Sequence, residues 1–267
     1  MMLRRNPTPV SLRSTHSRVV SSSPYSALAS LYDALMWHVD YVHWAQYLVQ
    51  IARKYSLPNG AWCEGGCGTG NIALRIAKMG NSISGFDIAP AMIDAARKKA
   101  LEQNLPVKFA TASFNDFSVQ DLAFLFVVYD GVNYLLKRSE LEAFLLRASA
   151  SLQFNGLFVF DICTERNSLR NLFDWRDSQS RNGYHYIRHS WYERERQLHH
   201  NDFEIVTDSD PDTVFIENHL QRIYYINDVV TLLKATPLQL IAILGDTTFS
   251  PGTEHNDRVH FVCRNRL

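Results

Sequence analysis

The spacing of apolar residues changes several times along the chain. Between Ser26 and Tyr55, Leu31, Leu35, Trp44, Tyr47, Leu48 and Ile51 recur at helical intervals, which predicts helical structure with a break near Val39 to Tyr41. Leu57-Pro58-Asn59-Gly60 is turn chemistry and ends it. Strand and helix signals then alternate. Ala61 to Cys63 opens a strand, Asn71 to Lys78 is a helix stopped by Gly80, and Ser82 to Phe86 is a second strand. Pro90 to Gln103 is a helix with proline in its first turn, followed by a strand from Val107 to Thr111. Leu122 to Tyr129 is continuously apolar, as a central parallel strand buried on both faces is. Arg138 to Leu152 reads as a helix, and Asn155-Gly156 turns into a strand from Leu157 to Ile162. This rhythm predicts an α/β fold with a doubly wound, mostly parallel sheet.

After Thr164 the rhythm breaks. From Gly183 to Tyr225 the chain alternates in runs such as Tyr184-His185-Tyr186-Ile187-Arg188, with the turn-prone Asp208-Ser209-Asp210-Pro211-Asp212 between two of them. An antiparallel β insertion is expected over residues 163–225, forming a lid. The α/β pattern resumes with a helix at Asn227 to Ala235 and strands at Leu238 to Gly245 and Arg258 to Cys263. The core therefore comprises residues 25–162 and 226–267. Residues 1–24 carry Arg4, Arg5, Arg13 and Arg18, many serines and no acid, which suits either a disordered tail or a targeting segment.

Composition narrows the partners. Lys plus Arg and Asp plus Glu number 27 each, so no global field favours nucleic acid or an anionic membrane. The longest strongly apolar run, Leu122 to Tyr129, is strand-sized, and a soluble protein is expected, cytoplasmic unless the leading segment directs import. Cys63, Cys67, Cys163 and Cys263 lie in or beside apolar runs without paired ligand spacing; they read as small buried hydrophobes, and no metal site is expected.

The sharpest chemistry lies in Glu64-Gly65-Gly66-Cys67-Gly68-Thr69-Gly70, directly after a strand and directly before a helix. Glycines there allow a tight turn and close approach of a ligand to the backbone. Asp87 ends the next strand, where an acid in nucleotide-binding α/β folds accepts hydrogen bonds from ribose hydroxyls; the competing role is to cap the helix that begins at Pro90. The dinucleotide fingerprint needs a third small residue, but Gly66-x-Gly68-x-x-Asn71 lacks it.

The pattern Glu-x-Gly-x-Gly-x-Gly instead resembles motif I of the class I S-adenosylmethionine-dependent methyltransferases. Further segments carry the resemblance from about Tyr25 to the C-terminus: Tyr32-Asp33-Ala34-Leu35-Met36, Phe86-Asp87-Ile88-Ala89-Pro90-Ala91-Met92, Tyr129-Asp130-Gly131-Val132-Asn133-Tyr134 and Gly156-Leu157-Phe158-Val159-Phe160-Asp161-Ile162. With the β insertion, the chain is similar to the small-molecule branch that includes N-methyltransferases of glycine-type amines and amino sugars. The resemblance implies a seven-stranded sheet with an antiparallel last strand, S-adenosylmethionine as cofactor and a small-molecule methyl acceptor. It implies cofactor contacts from Tyr32, Glu64, Gly66, Gly68, Gly70, Asp87, Ile88, Met92, Ser113, Phe114, Tyr129 and Asn133. Ser113 stands where such enzymes usually carry an acid toward the adenine amino group.

For the acceptor, Tyr134 and His219 are the catalytic candidates. Arg222 and Tyr224 alternate on one strand face and are candidates for holding an anionic or hydroxylated substrate, the rival reading being a solvated face. The alternative functions are a binding protein for S-adenosylmethionine or its demethylated product without turnover, and a nicotinamide-dependent oxidoreductase.

Overall fold

The structure is a computed structural model describing residues 12, 17–171, 173–181 and 183–267. A short strand, β1 (Arg18–Ser21), leads through a 3-10 turn at Leu28–Ser30 into α1 (Tyr32–Leu35) and α2 (Tyr41–Lys54). Asp40 starts α2 by accepting the His43 N–H at 2.9 Å. Then follow β2 (Ala61–Gly65), α3 (Asn71–Lys78), β3 (Ile83–Asp87), α4 (Pro90–Glu102), β4 (Lys108–Thr111), β5 (Leu122–Val127), α5 (Arg138–Ser151) and β6 (Leu152–Cys163). After α6 (Glu165–Asn171) come β7 (Asp174–Arg181), β8 (Tyr184–Glu193), β9 (Leu198–Thr207) and β10 (Asp210–Arg222). The chain closes with α7 (Ile226–Leu233), β11 (Leu238–Gly245) and β12 (Arg258–Asn265).

Seven strands form the main sheet in the order β11-β12-β6-β5-β2-β3-β4. β12 runs antiparallel to both of its neighbours, and the pairs from β6 through β4 are parallel. Every residue of β5 is buried, which explains its unbroken apolar run. The order reverses beside β2, so the loop after β2 opens at the switch point where open α/β sheets bind ligands.

β7 to β10 form a second, antiparallel sheet, joined at its edge by β1. Two of its strands depart from the sequence expectation. Order begins before Tyr25, because Arg18 to Ser21 pair in parallel with Thr213 to Ile216. β7 was not expected either: it is an edge strand, mostly exposed on both faces, so its sequence shows no alternation of apolar and polar residues. Arg4, Arg5 and Arg13, which motivated the tail or targeting reading, lie outside the described residues. The leading segment packs Leu28, Leu31 and Leu35 against Tyr186, Phe203 and Ile205 of the antiparallel sheet, and Ala29 against Ala89 and Met92 at the start of α4. All four cysteines are free and buried. Among the described residues no helix is long and apolar enough to cross a membrane.

Candidate active site

The glycine loop turns through three positive backbone angles, φ 65° at Gly66, 51° at Gly68 and 76° at Gly70, which side chains rarely tolerate. It borders a cavity of about 670 Å³, within the size range of small-ligand sites. At Gly68 an added Cβ would find nothing nearer than the Tyr32 ring at 4.0 Å, so the backbone there lies open to a ligand. At Gly66 it would press on Phe114 at 3.3 Å. Gly70 does something else. Its Cβ would meet Phe109 at 2.8 Å and Ala96 at 3.1 Å, so this glycine lets the start of α3 pack closely and does not line the cavity.

Glu64 stands at the end of β2, nearly fully buried, and accepts the Ala73 N–H from the first turn of α3 at 2.9 Å. Burial pushes its carboxyl up to about 8, against the opposing pull of that N–H. A phosphate would need the free N–H groups of this helix end, and Glu64 already occupies one. Asp87 uses both oxygens: Gly68 donates to one at 2.8 Å and Ala89 to the other at 2.9 Å. Burial raises its carboxyl, and these two N–H groups partly offset that. A carboxylate accepts at about four sites. Asp87 thus ties the glycine loop to the start of α4 and retains capacity for hydroxyls in the cavity.

Asp33 of α1 braces the same loop. It accepts from Thr69 at 2.6 Å and Asn71 at 2.8 Å, and pairs with Lys99 at 2.8 Å. On the other side, Tyr129 and Asp130 both carry positive φ, 66° and 68°. The buried Asp161 holds them by accepting their N–H groups at 2.8 and 3.0 Å. Arg258 bonds Asp161 at 2.8 Å, pairs with Asp130, and lies 4.9 Å from the Tyr129 ring. Asp161 is therefore a brace for this loop.

Tyr32, Glu64, Gly66, Gly68, Asp87, Ile88, Met92, Ser113, Phe114, Tyr129 and Tyr134 all line the cavity, so most of the expected set converges there. Ser113 binds Asp116 through its N–H at 2.5 Å and its hydroxyl at 2.8 Å. An acid thus sits beside this position although none occupies it.

Four expected residues are placed elsewhere. Gly70 packs on Phe109, as above. Asn133 is fully buried outside the cavity and clamps two strands: its amide donates to the Arg222 carbonyl at 2.7 Å, and its oxygen accepts the Cys163 N–H at 3.0 Å. Arg222 donates to the Leu136 carbonyl at 3.3 Å, and Tyr224 donates to the Leu135 carbonyl. Tyr224 lies beyond the end of β10, both side chains meet the chain after Tyr134, and neither lines the cavity, so neither is placed to hold a substrate.

The two catalytic candidates meet. The Tyr134 hydroxyl lies 3.0 Å from His219 Nδ1, across 85 residues of sequence. His219 is buried behind Tyr134. Tyr25, not among the residues expected at the site, lines the cavity with its hydroxyl 2.6 Å from that of Tyr134. Glu217 was missed. It is fully buried, and its spacing of two from His219 on one strand already placed both on a common face.

The residues present fit S-adenosylmethionine. Glu64, Asp87 and Glu140 line the cavity, while among the described residues no lysine, arginine or histidine does. Such a lining suits a sulfonium and an ammonium and opposes the pyrophosphate of a dinucleotide. Phe114, Ile88 and Met92 supply apolar and aromatic surface for a base. Residues 63–156 match the family model described as a methyltransferase domain. Residues 63–156 thus carry a methyltransferase domain, and the fold and loop around it are similar to those of the class I S-adenosylmethionine-dependent methyltransferases.

The chain is similar to the protein named Putative methyltransferase GWCH70_2453 of Geobacillus sp. (strain WCH70). The two are 26% identical over 249 residues, 90% of this chain and 99% of the relative. Among solved structures it is similar in fold to an S-adenosylmethionine-dependent methyltransferase from Clostridium acetobutylicum, with TM-score 0.78 and 19% identity, covering 91% of this chain and 99% of that one. The sugar N-methyltransferase KedS8 from Streptoalloteichus gives TM-score 0.73 and 15% identity, covering 98% and 100%.

Proposed function

We propose that this methyltransferase acts on a small-molecule acceptor through an amine or hydroxyl nucleophile. The observation that carries this reading is the Tyr134–His219 hydrogen bond, with the Tyr134 side of the pair on the wall of the cavity. A proton-accepting imidazole behind a phenol is the equipment an N–H or O–H acceptor requires, because its lone pair must be free or freed when it attacks. The fold-level likeness to a sugar N-methyltransferase supports the same reading. A lining with acids and, among the described residues, no lysine, arginine or histidine favours neutral or cationic acceptors over anionic ones.

When bound, S-adenosylmethionine supplies a methyl group already activated by the positive sulfur, so the protein need not furnish a nucleophile. Its own residues then bind and orient. Glu64 holds the amino-acid end, Asp87 the ribose, and Ile88, Met92, Ser113 and Phe114 the adenine, with Tyr32 and Tyr129 bordering the site. The leading segment at Ser23 to Ser26 lines the cavity, and the antiparallel sheet stands behind it with His219; together they serve as a lid that excludes water. Holding an acceptor in line with the methyl group is worth several kcal/mol, on the order of 7–11 at the upper end.

The test is a screen of amines, amino acids and hydroxylated small molecules, read by S-adenosylhomocysteine formation. With an acceptor in hand, His219→Ala and Tyr134→Phe are expected to lower turnover while S-adenosylmethionine affinity stays within about twofold. Excess EDTA is expected to leave the rate unchanged; a chelated enzyme rescued by a divalent metal would overturn the metal-free reading.

A further inference from the structure

The geometry points to Tyr25 as the residue that takes the acceptor's proton, at the open end of a hydrogen-bonded chain whose direction Glu217 sets. This rests on the methyl-transfer reading above and adds two residues to it. The chain runs from Tyr25 to Tyr134 at 2.6 Å, from Tyr134 to His219 Nδ1 at 3.0 Å, and from His219 Nε2 to Glu217 at 3.2 Å. Tyr25 and Tyr134 line the cavity, and His219 and Glu217 are buried behind them.

Glu217 also receives three backbone N–H groups, from Tyr25 at 2.7 Å, Ala27 at 2.6 Å and Leu28 at 2.9 Å. Burial alone would raise its carboxyl, but His219 and these donors outweigh that and hold it below the usual range. It is therefore an ionised group that only accepts hydrogen bonds. Tyr25 itself sits at φ 65°, an unfavourable angle for a tyrosine, and the Glu217 contacts hold it there. One carboxylate thus fixes both ends of the chain.

The direction follows from counting protons. Facing an acceptor-only carboxylate, His219 Nε2 carries the proton, so Nδ1 is bare. Nδ1 then accepts from the Tyr134 hydroxyl, and the Tyr134 oxygen accepts from the Tyr25 hydroxyl. The Tyr134 oxygen is committed on both sides, whereas the Tyr25 oxygen keeps lone pairs for a group in the cavity. In the transfer, the bond from a neutral acceptor X–H to the methyl carbon forms as the carbon–sulfur bond breaks with its electron pair left on sulfur. The X–H proton passes to Tyr25, that of Tyr25 to Tyr134, and that of Tyr134 to Nδ1. One positive charge, on sulfur before the step, resides on the imidazolium after it, paired with Glu217. Burial pushes both phenols above their ordinary range, so they pass protons without resting as phenolates. The groups packed around His219 are Glu217 on its own strand, Phe203 of β9, Tyr134 and Tyr25.

The first test needs no acceptor or cofactor. Nitrogen-15 NMR of histidine-labelled protein is expected to show His219 protonated at Nε2 with a bare Nδ1; a proton on Nδ1 would reverse the chain and overturn the proposal. Tyr25→Phe keeps the ring and removes the hydroxyl. It is expected to lower kcat by about 100-fold or more, the usual scale of acid–base assistance, with S-adenosylmethionine affinity unchanged by calorimetry. A Tyr25→Phe enzyme with full kcat would make Tyr25 a wall and nothing more. Glu217→Gln is expected to shift the His219 ring-nitrogen signals and displace the pH profile of kcat. A variant that loses only thermal stability, with signals and profile intact, would reduce Glu217 to a latch. If Glu217→Gln does not fold, the wild-type spectrum and Tyr25→Phe still decide. If the wild-type enzyme methylates no acceptor, the methyl-transfer reading fails while the spectrum still tests the chain's direction.

Discussion

Glu64 and Asp87 are acids that folding places where charge is costly. With its carboxyl at about 8, Glu64 binds a proton in the folded state across the range where the unfolded chain has released it. A raised folded value makes stability fall as pH rises from the unfolded carboxyl range, about 4.3, toward 8, and level off above. Calorimetric melting of the cofactor-free protein between pH 5 and 8 is expected to show a fall that Glu64→Gln makes shallower. Equal slopes in the two proteins would reject the protonated carboxyl. Asp87 combines a structural and a ligand role, since its oxygens already hold Gly68 and Ala89. Asp87→Ala is therefore expected to lower the melting temperature and to weaken S-adenosylmethionine binding by about 1.5–3 kcal/mol, the worth of hydrogen bonds to a charged group. A folded variant with unchanged affinity in titration calorimetry would leave Asp87 as a loop tie only. Asp87 was legible from its place at a strand end, and Glu64 from the motif that the loop resembles. Their pairing with particular N–H groups was not, because that depends on how the loop closes.

The strand–loop–helix unit from Ala61 to Lys78 shows how one motif divides its labour. Gly68 lies open to the cavity, whereas Gly70 abuts Phe109 and Ala96. Gly70→Ala is expected to destabilise the fold by more than about 1 kcal/mol, from both the clash and the positive φ, and to leave cofactor affinity of the folded protein intact. Gly68→Val is expected to abolish cofactor binding. Urea unfolding beside calorimetric titration separates the two effects, and an affinity loss in Gly70→Ala would place that glycine at the ligand after all. The sequence spacing marked all the loop glycines alike. Only the packing of α3 and α4 on β4 tells them apart. β1 and β7 escaped the same kind of reading because both lie at sheet edges, where one face of pairing is missing and apolar alternation is not enforced.

At the scale of the molecule, the leading segment lies between the antiparallel sheet and the start of α4, packing on both. Ile205 is fully buried against Leu28, Leu31 and Leu35. Ile205→Ala is expected to cost about 2–5 kcal/mol, as for other buried large-to-small changes. Near- and far-ultraviolet circular dichroism are expected to change at the same urea concentration, because the leading segment packs on both the antiparallel sheet and the α/β core. Two separate transitions would show that the antiparallel sheet unfolds by itself.

Local order along the chain was enough to read the parallel sheet, the glycine loop and the acid after β3, while the class of cofactor came from the resemblance that the loop carries. Each is written in spacings of a few residues, where backbone periodicity and turn chemistry act directly. The proton-handling chain was not written that way. Tyr25 and Glu217 are 192 residues apart, and Tyr134 and His219 are 85 apart. Nothing in local spacing says that Tyr25 would face the cavity, or that Arg222 and Tyr224 would turn toward Leu135 and Leu136. Those outcomes depend on how β10 docks against the loop after β5 and on the path of the leading segment between the sheets. Side chains so distant in sequence acquire shared chemistry only when packing brings them within hydrogen-bond reach.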